Sequence, residues 1–170
     1  KFSSQFNFIS RKNKNTDTRI FKLLKHKPPI LLVQRIHHLE PGCKCVASII
    51  FEDSDWFFKC HYPDYPVMPG TLLLEAMSQT MTLTVTSMDE FSDEWGGLLI
   101  LSGINNVKFK KEAMPGLELI ITAKIDSFTR GIIKGNIKCE ADGELICSCI
   151  MTIVIPNVMK QLSNQIMRKK

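Results

Sequence analysis

No run of about 18 uncharged apolar residues occurs anywhere in the 170-residue chain, which excludes a helical membrane span. Residues 1–17 are polar and lack the charged start and apolar stretch of a secretory signal, so the expected compartment is the cytoplasm. The six cysteines contain no Cys-x-x-Cys spacing and have no histidine at zinc-finger distance. Neither a metal centre nor a disulfide framework is expected. Within each Cys-x-Cys pair, Cys43/Cys45 and Cys147/Cys149, a strand would point both thiols to one face, where they pack as small apolar groups. The charge excess is modest, 22 Lys and Arg against 17 Asp and Glu, and no aromatic platform is interleaved with it, so nucleic acid is not an expected partner.

What the chain does have is 44% hydrophobic content over a length that buries one good core rather than two. The expected organisation is a flexible N-terminal arm at residues 1–21, one domain at 22–156, and a basic C-terminal tail at 157–170 that ends Met167-Arg168-Lys169-Lys170. Residues 18–24 form a helical turn or two that Pro28-Pro29 halts. Ile30-Leu31-Leu32-Val33 starts a buried strand ended by Glu40-Pro41-Gly42, and residues 45–51 return as its hairpin partner. Apolar and polar residues alternate through 117–125 and again from Ile133 to Ala141, which is the period of a strand with one buried face. Turns at Thr129-Arg130-Gly131 and Asp142-Gly143, with residues 98–108 as a further strand, predict a four-stranded antiparallel meander and a sheet of about six strands in all.

Such a sheet needs a cover for its apolar face. The segment long enough to supply it is 71–89, which opens with the helix formers Leu72-Leu73-Leu74-Glu75-Ala76-Met77. Further on, Thr80, Thr82, Thr84 and Thr86 alternate with apolar residues in a strand-like pattern, but a mid-helix threonine can bond the carbonyl of the preceding turn, and helix is expected throughout. The predicted class is α+β, a central helix wrapped by an antiparallel sheet.

The most unusual stretch runs from Asp55 to Gln79. Pro63, Pro66 and Pro69 stiffen the loop between His61 and the helix start. Pro69-Gly70 then presents helix-terminal N–H groups that can donate to an oxygen gaining negative charge. Glu75 follows on a face otherwise lined by Leu72, Ala76 and Gln79. Taken singly, a histidine in an aromatic loop is more commonly structural, and a helix glutamate more commonly solvated. A cysteine nucleophile at Cys60 beside His61, or a metal pair from His61 and Asp64, is a weaker reading still.

Together the segments Cys60-His61-Tyr62-Pro63, Pro66-Val67-Met68-Pro69-Gly70 and Leu74-Glu75-Ala76-Met77-Ser78-Gln79 resemble the 3-hydroxyacyl-acyl-carrier-protein dehydratases of bacterial type II fatty acid synthesis. The resemblance extends to Leu31-Leu32-Val33-Gln34-Arg35-Ile36, Met114-Pro115-Gly116, Arg130-Gly131 and Asp142-Gly143-Glu144-Leu145. It implies a single hotdog domain, dimeric and open to assembly as a trimer of dimers, with no cofactor beyond the phosphopantetheine arm of the acyl carrier protein. It further implies His61 as the base at substrate C2 and Glu75 as the acid that helps the C3 hydroxyl leave, from different subunits, with Gln79 supporting Glu75. Gly70, with Val67, would hold the thioester oxygen. Glutamate rather than aspartate at position 75 is similar to the branch that dehydrates without isomerising. The sequence departs from the family where Cys60 replaces a glycine, Gln34 an aspartate and Pro28 an aromatic residue.

On this reading Trp56, Phe57 and Phe58 line an acyl tunnel, with core packing as the even alternative. Lys108, Lys110 and Lys111 form a basic rim for the acidic carrier protein, or else a solvated edge. A hotdog thioesterase and a non-catalytic hotdog subunit are the competing functions.

Overall fold

The computed structural model describes residues 16–91 and 97–167. Residues 1–15 of the expected arm and Arg168-Lys169-Lys170 of the expected tail lie outside the described residues. Among the described residues ten elements follow one another: α1 (Thr18–Leu23), β1 (Arg35–Glu40), β2 (Lys44–Ile50), α2 (Gly70–Thr86), a 3₁₀ turn at Asp89–Phe91, β3 (Ile100–Phe109), β4 (Glu118–Thr129), β5 (Ile132–Ala141), β6 (Glu144–Val154) and α3 (Pro156–Met167). All strands pair antiparallel in one sheet of order β1-β2-β4-β5-β6-β3.

Helix α2 lies across one face of this sheet, against β4, β2 and β5. Leu73, Ala76, Met77, Met81 and Val85 of the helix share a buried cluster with Leu119, Ile121, Ala123, Ile137, Cys139 and Met151 of the strands. With the sheet on one side and Ile20, Leu24, Leu31 and Val33 against Leu83 on the other, α2 is buried on more than one face and shows no polar stripe. The threonines fit as expected: Thr80 donates to the Ala76 carbonyl at 3.0 Å and Thr84 to that of Met81 at 2.7 Å, both fully buried. Burial pushes the thiols of Cys45, Cys139 and Cys149 up to about 12, so they pack as protonated groups. The two hairpin turns have both central residues at positive φ, Arg130 (53°) with Gly131 (79°) and Asp142 (50°) with Gly143 (79°), which suits the twist of the flanking strands.

Three expectations change. The apolar run Ile30-Leu31-Leu32-Val33 is no strand; the strand begins at Arg35. Its backbone is held instead by one helix side chain, since Gln79 Oε1 accepts the N–H groups of Leu32 (2.9 Å) and Val33 (3.4 Å) while its Nε2 donates to the Ile30 carbonyl (2.6 Å). The four-stranded meander is three-stranded, β4-β5-β6, because β3 pairs with β6 at the far edge and β2 takes the place beside β4. The packed body also reaches beyond the expected domain limits. Ile20 of α1 is fully buried with Leu31 and Val33, and residues 156–167 form α3, seated where Val158 meets Gly131.

Gly135 of β5 leaves no room for a side chain between β4 and α2. A Cβ there would stand 2.7 Å from the Lys124 carbonyl oxygen and 3.3 Å from Met81 Cε. Gly135→Ala is therefore expected to destabilise the fold by about 1–3 kcal/mol, read as a lower denaturant midpoint at unchanged slope. An unchanged midpoint would show that the sheet gives way there freely.

Candidate active site

The loop that carries His61 starts from a small folded unit. The Asp55 carboxylate accepts the Glu52 N–H at 2.9 Å, and the His61 N–H donates back to the Phe57 carbonyl at 2.8 Å, closing one helical turn. Phe57 and Phe58 anchor that turn in the core at 1% and 3% exposure, with Phe57 edge-on to Phe51 at 5.1 Å, whereas Trp56 is 40% exposed. Cys60 sits within this turn, away from the left-handed region, and its Sγ points back to the carbonyls of Trp56 and Phe57. The residue with the unusual backbone is its neighbour but one, Tyr62, at φ 51°, a conformation that an aromatic residue seldom takes.

His61 Nδ1 lies 3.0 Å from the Val67 carbonyl oxygen. A carbonyl only accepts, so Nδ1 carries the hydrogen and, in the neutral ring, Nε2 keeps its lone pair. The loop is in turn latched to the β3–β4 connection: Met68 N–H donates to the Ala113 carbonyl at 2.9 Å, and Tyr65 Oη donates to Glu112 at 2.7 Å. That carboxylate pushes the Tyr65 phenol above its usual value. Val67 thus serves as the backbone support of the imidazole.

Helix α2 begins at Gly70 with Pro69 as its cap and no capping side chain. Among the described residues the Gly70 N–H has no acceptor, which leaves it available as a donor at the positive end of the helix. The ring of Phe109 lies against Gly70 so closely that a Cβ would stand 2.8 Å from Phe109 Cζ. Glu75, one and a half turns further on, is 28% exposed and accepts from Gln79 Nε2 at 2.8 Å through Oε1, while Gln79 is itself buried at 1%. The same oxygen faces His26 Nε2 at 3.5 Å. Sequence reasoning missed His26, and also the Tyr65–Glu112 latch. A lone histidine 49 residues before Glu75 has no spacing signal, so only the folded chain brings the two together.

Within one chain, no hydrogen bond or ion pair joins His61 to Glu75 among the described residues. The three lysines are also divided. Lys108 lines a groove of about 630 Å³ with Lys44, Lys124 and Lys138, whereas Lys110 and Lys111 line another of about 560 Å³ with Phe109, Glu112 and Met114. Lys111 is paired with Glu144. Among the described residues, no group of three or more His, Cys, Asp or Glu side chains could hold a metal ion.

Residues 24–150 match the family described as the FabA-like domain. The chain belongs to the FabA-like family. A curated relative, the 3-hydroxyacyl-[acyl-carrier-protein] dehydratase FabZ of Staphylococcus aureus (strain JH9), is 34% identical to this FabA-like chain over 140 residues, 82% of the chain and 94% of the relative. The hotdog fold recurs in the dehydratase heterocomplex ApeI:P from Xenorhabdus doucetiae, at a TM-score of 0.69 and 15% identity over 85% of this chain and 97% of that one. An HP0420 homologue from Helicobacter felis has a TM-score of 0.60 and 11% identity over 78% and 85% of the two chains. At these identities the two structural likenesses speak for the fold alone.

Proposed function

We propose that this FabA-like chain is a 3-hydroxyacyl-[acyl-carrier-protein] dehydratase, converting a (3R)-3-hydroxyacyl thioester to the trans-2-enoyl thioester and water. The observation that carries the reading is the presence in one chain of two oriented groups: His61, whose Nδ1 is engaged by Val67 and whose Nε2 has no partner among the described residues, and a half-buried Glu75 held by a buried glutamine. His61 Nε2 takes the C2 proton, and the electrons of that C–H bond form the C2–C3 double bond. The C3–O bond breaks, and the Glu75 proton joins the departing hydroxyl as water. Negative charge rises on the thioester oxygen as the C2 proton leaves, and the Gly70 N–H binds it. The elimination is redox-neutral, so it calls for no cofactor beyond the phosphopantetheine arm of the carrier.

His61 of one subunit works with Glu75 of the partner subunit in a homodimer. That no hydrogen bond or ion pair joins the two side chains within one chain, among the described residues, supports this, as does the edge strand β3, on which Ile100, Leu101, Val107 and Phe109 are exposed. The acyl chain runs past Trp56, with Phe57 and Phe58 as the wall behind it. Lys110, with Lys111 in the same groove, receives the acidic carrier protein in the cytoplasm, and Lys108 contributes only from the neighbouring groove; no described helix is long and apolar enough to cross a membrane. Charge reversal at Lys110 is expected to raise KM for carrier-bound substrate and to leave KM for a short carrier-free thioester unchanged. Equal KM values before and after would remove Lys110 from the carrier contact.

The direct test follows the absorbance of the unsaturated thioester formed from 3-hydroxyacyl chains of several lengths on acyl carrier protein. Turnover supports the dehydratase. Release of thiol without the enoyl product would mean a thioesterase, and a folded dimer that binds without turnover would mean a non-catalytic subunit.

A further inference from the structure

Glu75 has a second neighbour for which the elimination as described has no task. His26 stands in the segment between α1 and residues 30–33, and its Nε2 faces Glu75 Oε1 at 3.5 Å, the oxygen that also accepts from Gln79. Its other ring nitrogen, Nδ1, is buried and has no hydrogen-bond partner among the described residues. A buried ring nitrogen without a partner is unfavourable, and a side chain serving only to fill space would do better without one. The imidazole is explained by its other end. Nε2 points at an acceptor, so it carries the hydrogen, and Nδ1 is left as a lone pair. Among the described residues no lysine, arginine or other histidine pairs with Glu75.

We propose that His26 is a positioning residue that, with Gln79, fixes Oε1 of Glu75 by N–H donation, so that Oε2 is the oxygen that delivers the proton to the C3 hydroxyl. The inference rests on the reading of Glu75 as the acid. As the Oε2–H bond breaks and the proton joins the leaving hydroxyl, negative charge spreads over both carboxyl oxygens. Donors at Oε1 bind that charge more strongly than they bind the neutral acid, and so they act mainly in the transition state. A separation of 3.5 Å is long for a hydrogen bond, but catalytic contacts of this kind shorten once the substrate is in place.

The test is steady-state kinetics of His26→Ala, His26→Phe and His26→Gln beside the parent and Glu75→Gln, with circular dichroism to establish that each is folded. Glutamine keeps an N–H donor within reach; alanine and phenylalanine do not, and phenylalanine fills the space should the alanine variant fail to fold. Losing a donor to a developing charge is expected to lower kcat about tenfold in the Ala and Phe variants, with KM within about twofold of the parent. The Gln variant should recover most of the loss. Parent-like kcat in the Ala or Phe variant, a loss confined to KM, or an equal loss in Gln and Phe would overturn the inference. A fully active Glu75→Gln enzyme would instead overturn the assignment of Glu75 on which it rests.

Discussion

His61→Ala is expected to lower kcat by about 10²- to 10⁴-fold, the usual worth of a positioned general base, with little change in KM. On the proposed reading the substitution removes the base, and it disturbs little else. The backbone turn that carries residue 61 is closed by its own N–H on Phe57 and by the buried rings of Phe57 and Phe58, none of which depends on the imidazole. What the ring does hold is the Val67 carbonyl, at 3.0 Å. His61→Asn separates the two duties, because an asparagine amide can still donate toward that carbonyl but cannot act as a base. Both variants should unfold at nearly the parent temperature and both should be slow. An asparagine variant with activity close to the parent would mean that position 61 supports the loop and that the base lies elsewhere.

Glu75→Gln is expected to cost a similar factor, about 10²- to 10⁴-fold in kcat. The amide has the size and shape of the protonated acid and can still accept the Gln79 Nε2–H, so α2 and the segment at residues 30–33 should be undisturbed. It has no acidic proton to give. The pair of variants also tests where the two groups meet. If each site takes His61 from one subunit and Glu75 from the other, a mixed dimer of the two inactive variants has one site with both residues intact and one with neither. Subunit exchange in an equimolar mixture should then restore about a quarter of the parent activity, given statistical pairing of symmetric dimers. No recovery, in a mixture shown by mass spectrometry to contain the mixed dimer, would place both residues of a site in one subunit.

Much of this arrangement could be read from the chain. Residues 60–79 combine a proline-stiffened loop with a helix start, and stiffness and helix termini are local properties that residue types announce. The turns at Arg130-Gly131 and Asp142-Gly143 were legible for the same reason, since few residues accept positive φ. The threonine-rich half of α2 could be recognised as helix only by weighing hydroxyl-to-carbonyl bonding against the alternation. The misread parts depend on partners distant in sequence. Ile30-Leu31-Leu32-Val33 has the composition of a buried strand and is indeed buried, but its backbone partner is the Gln79 side chain, 46 or 47 positions away from the N–H groups it accepts. The position of β3 beside β6 is a matter of topology, which alternation along a strand does not encode. His26 gains its meaning only from the carboxyl group across from it.

The Gln79 amide admits one orientation. Its oxygen takes two backbone N–H groups, and its two hydrogens go to the Ile30 carbonyl and to Glu75 Oε1, so every position of a four-valent group is filled. Turning it over would set hydrogens against hydrogens and oxygen against oxygens at all four contacts. The side chain therefore acts as a polarity key: it dictates that the carboxyl oxygen facing it must be an acceptor, in whichever state of protonation the acid passes through. Gln79→Glu, nearly identical in volume, would erase that instruction by placing oxygen where both hydrogens stand, and would loosen Glu75 and residues 30–33 in a single event.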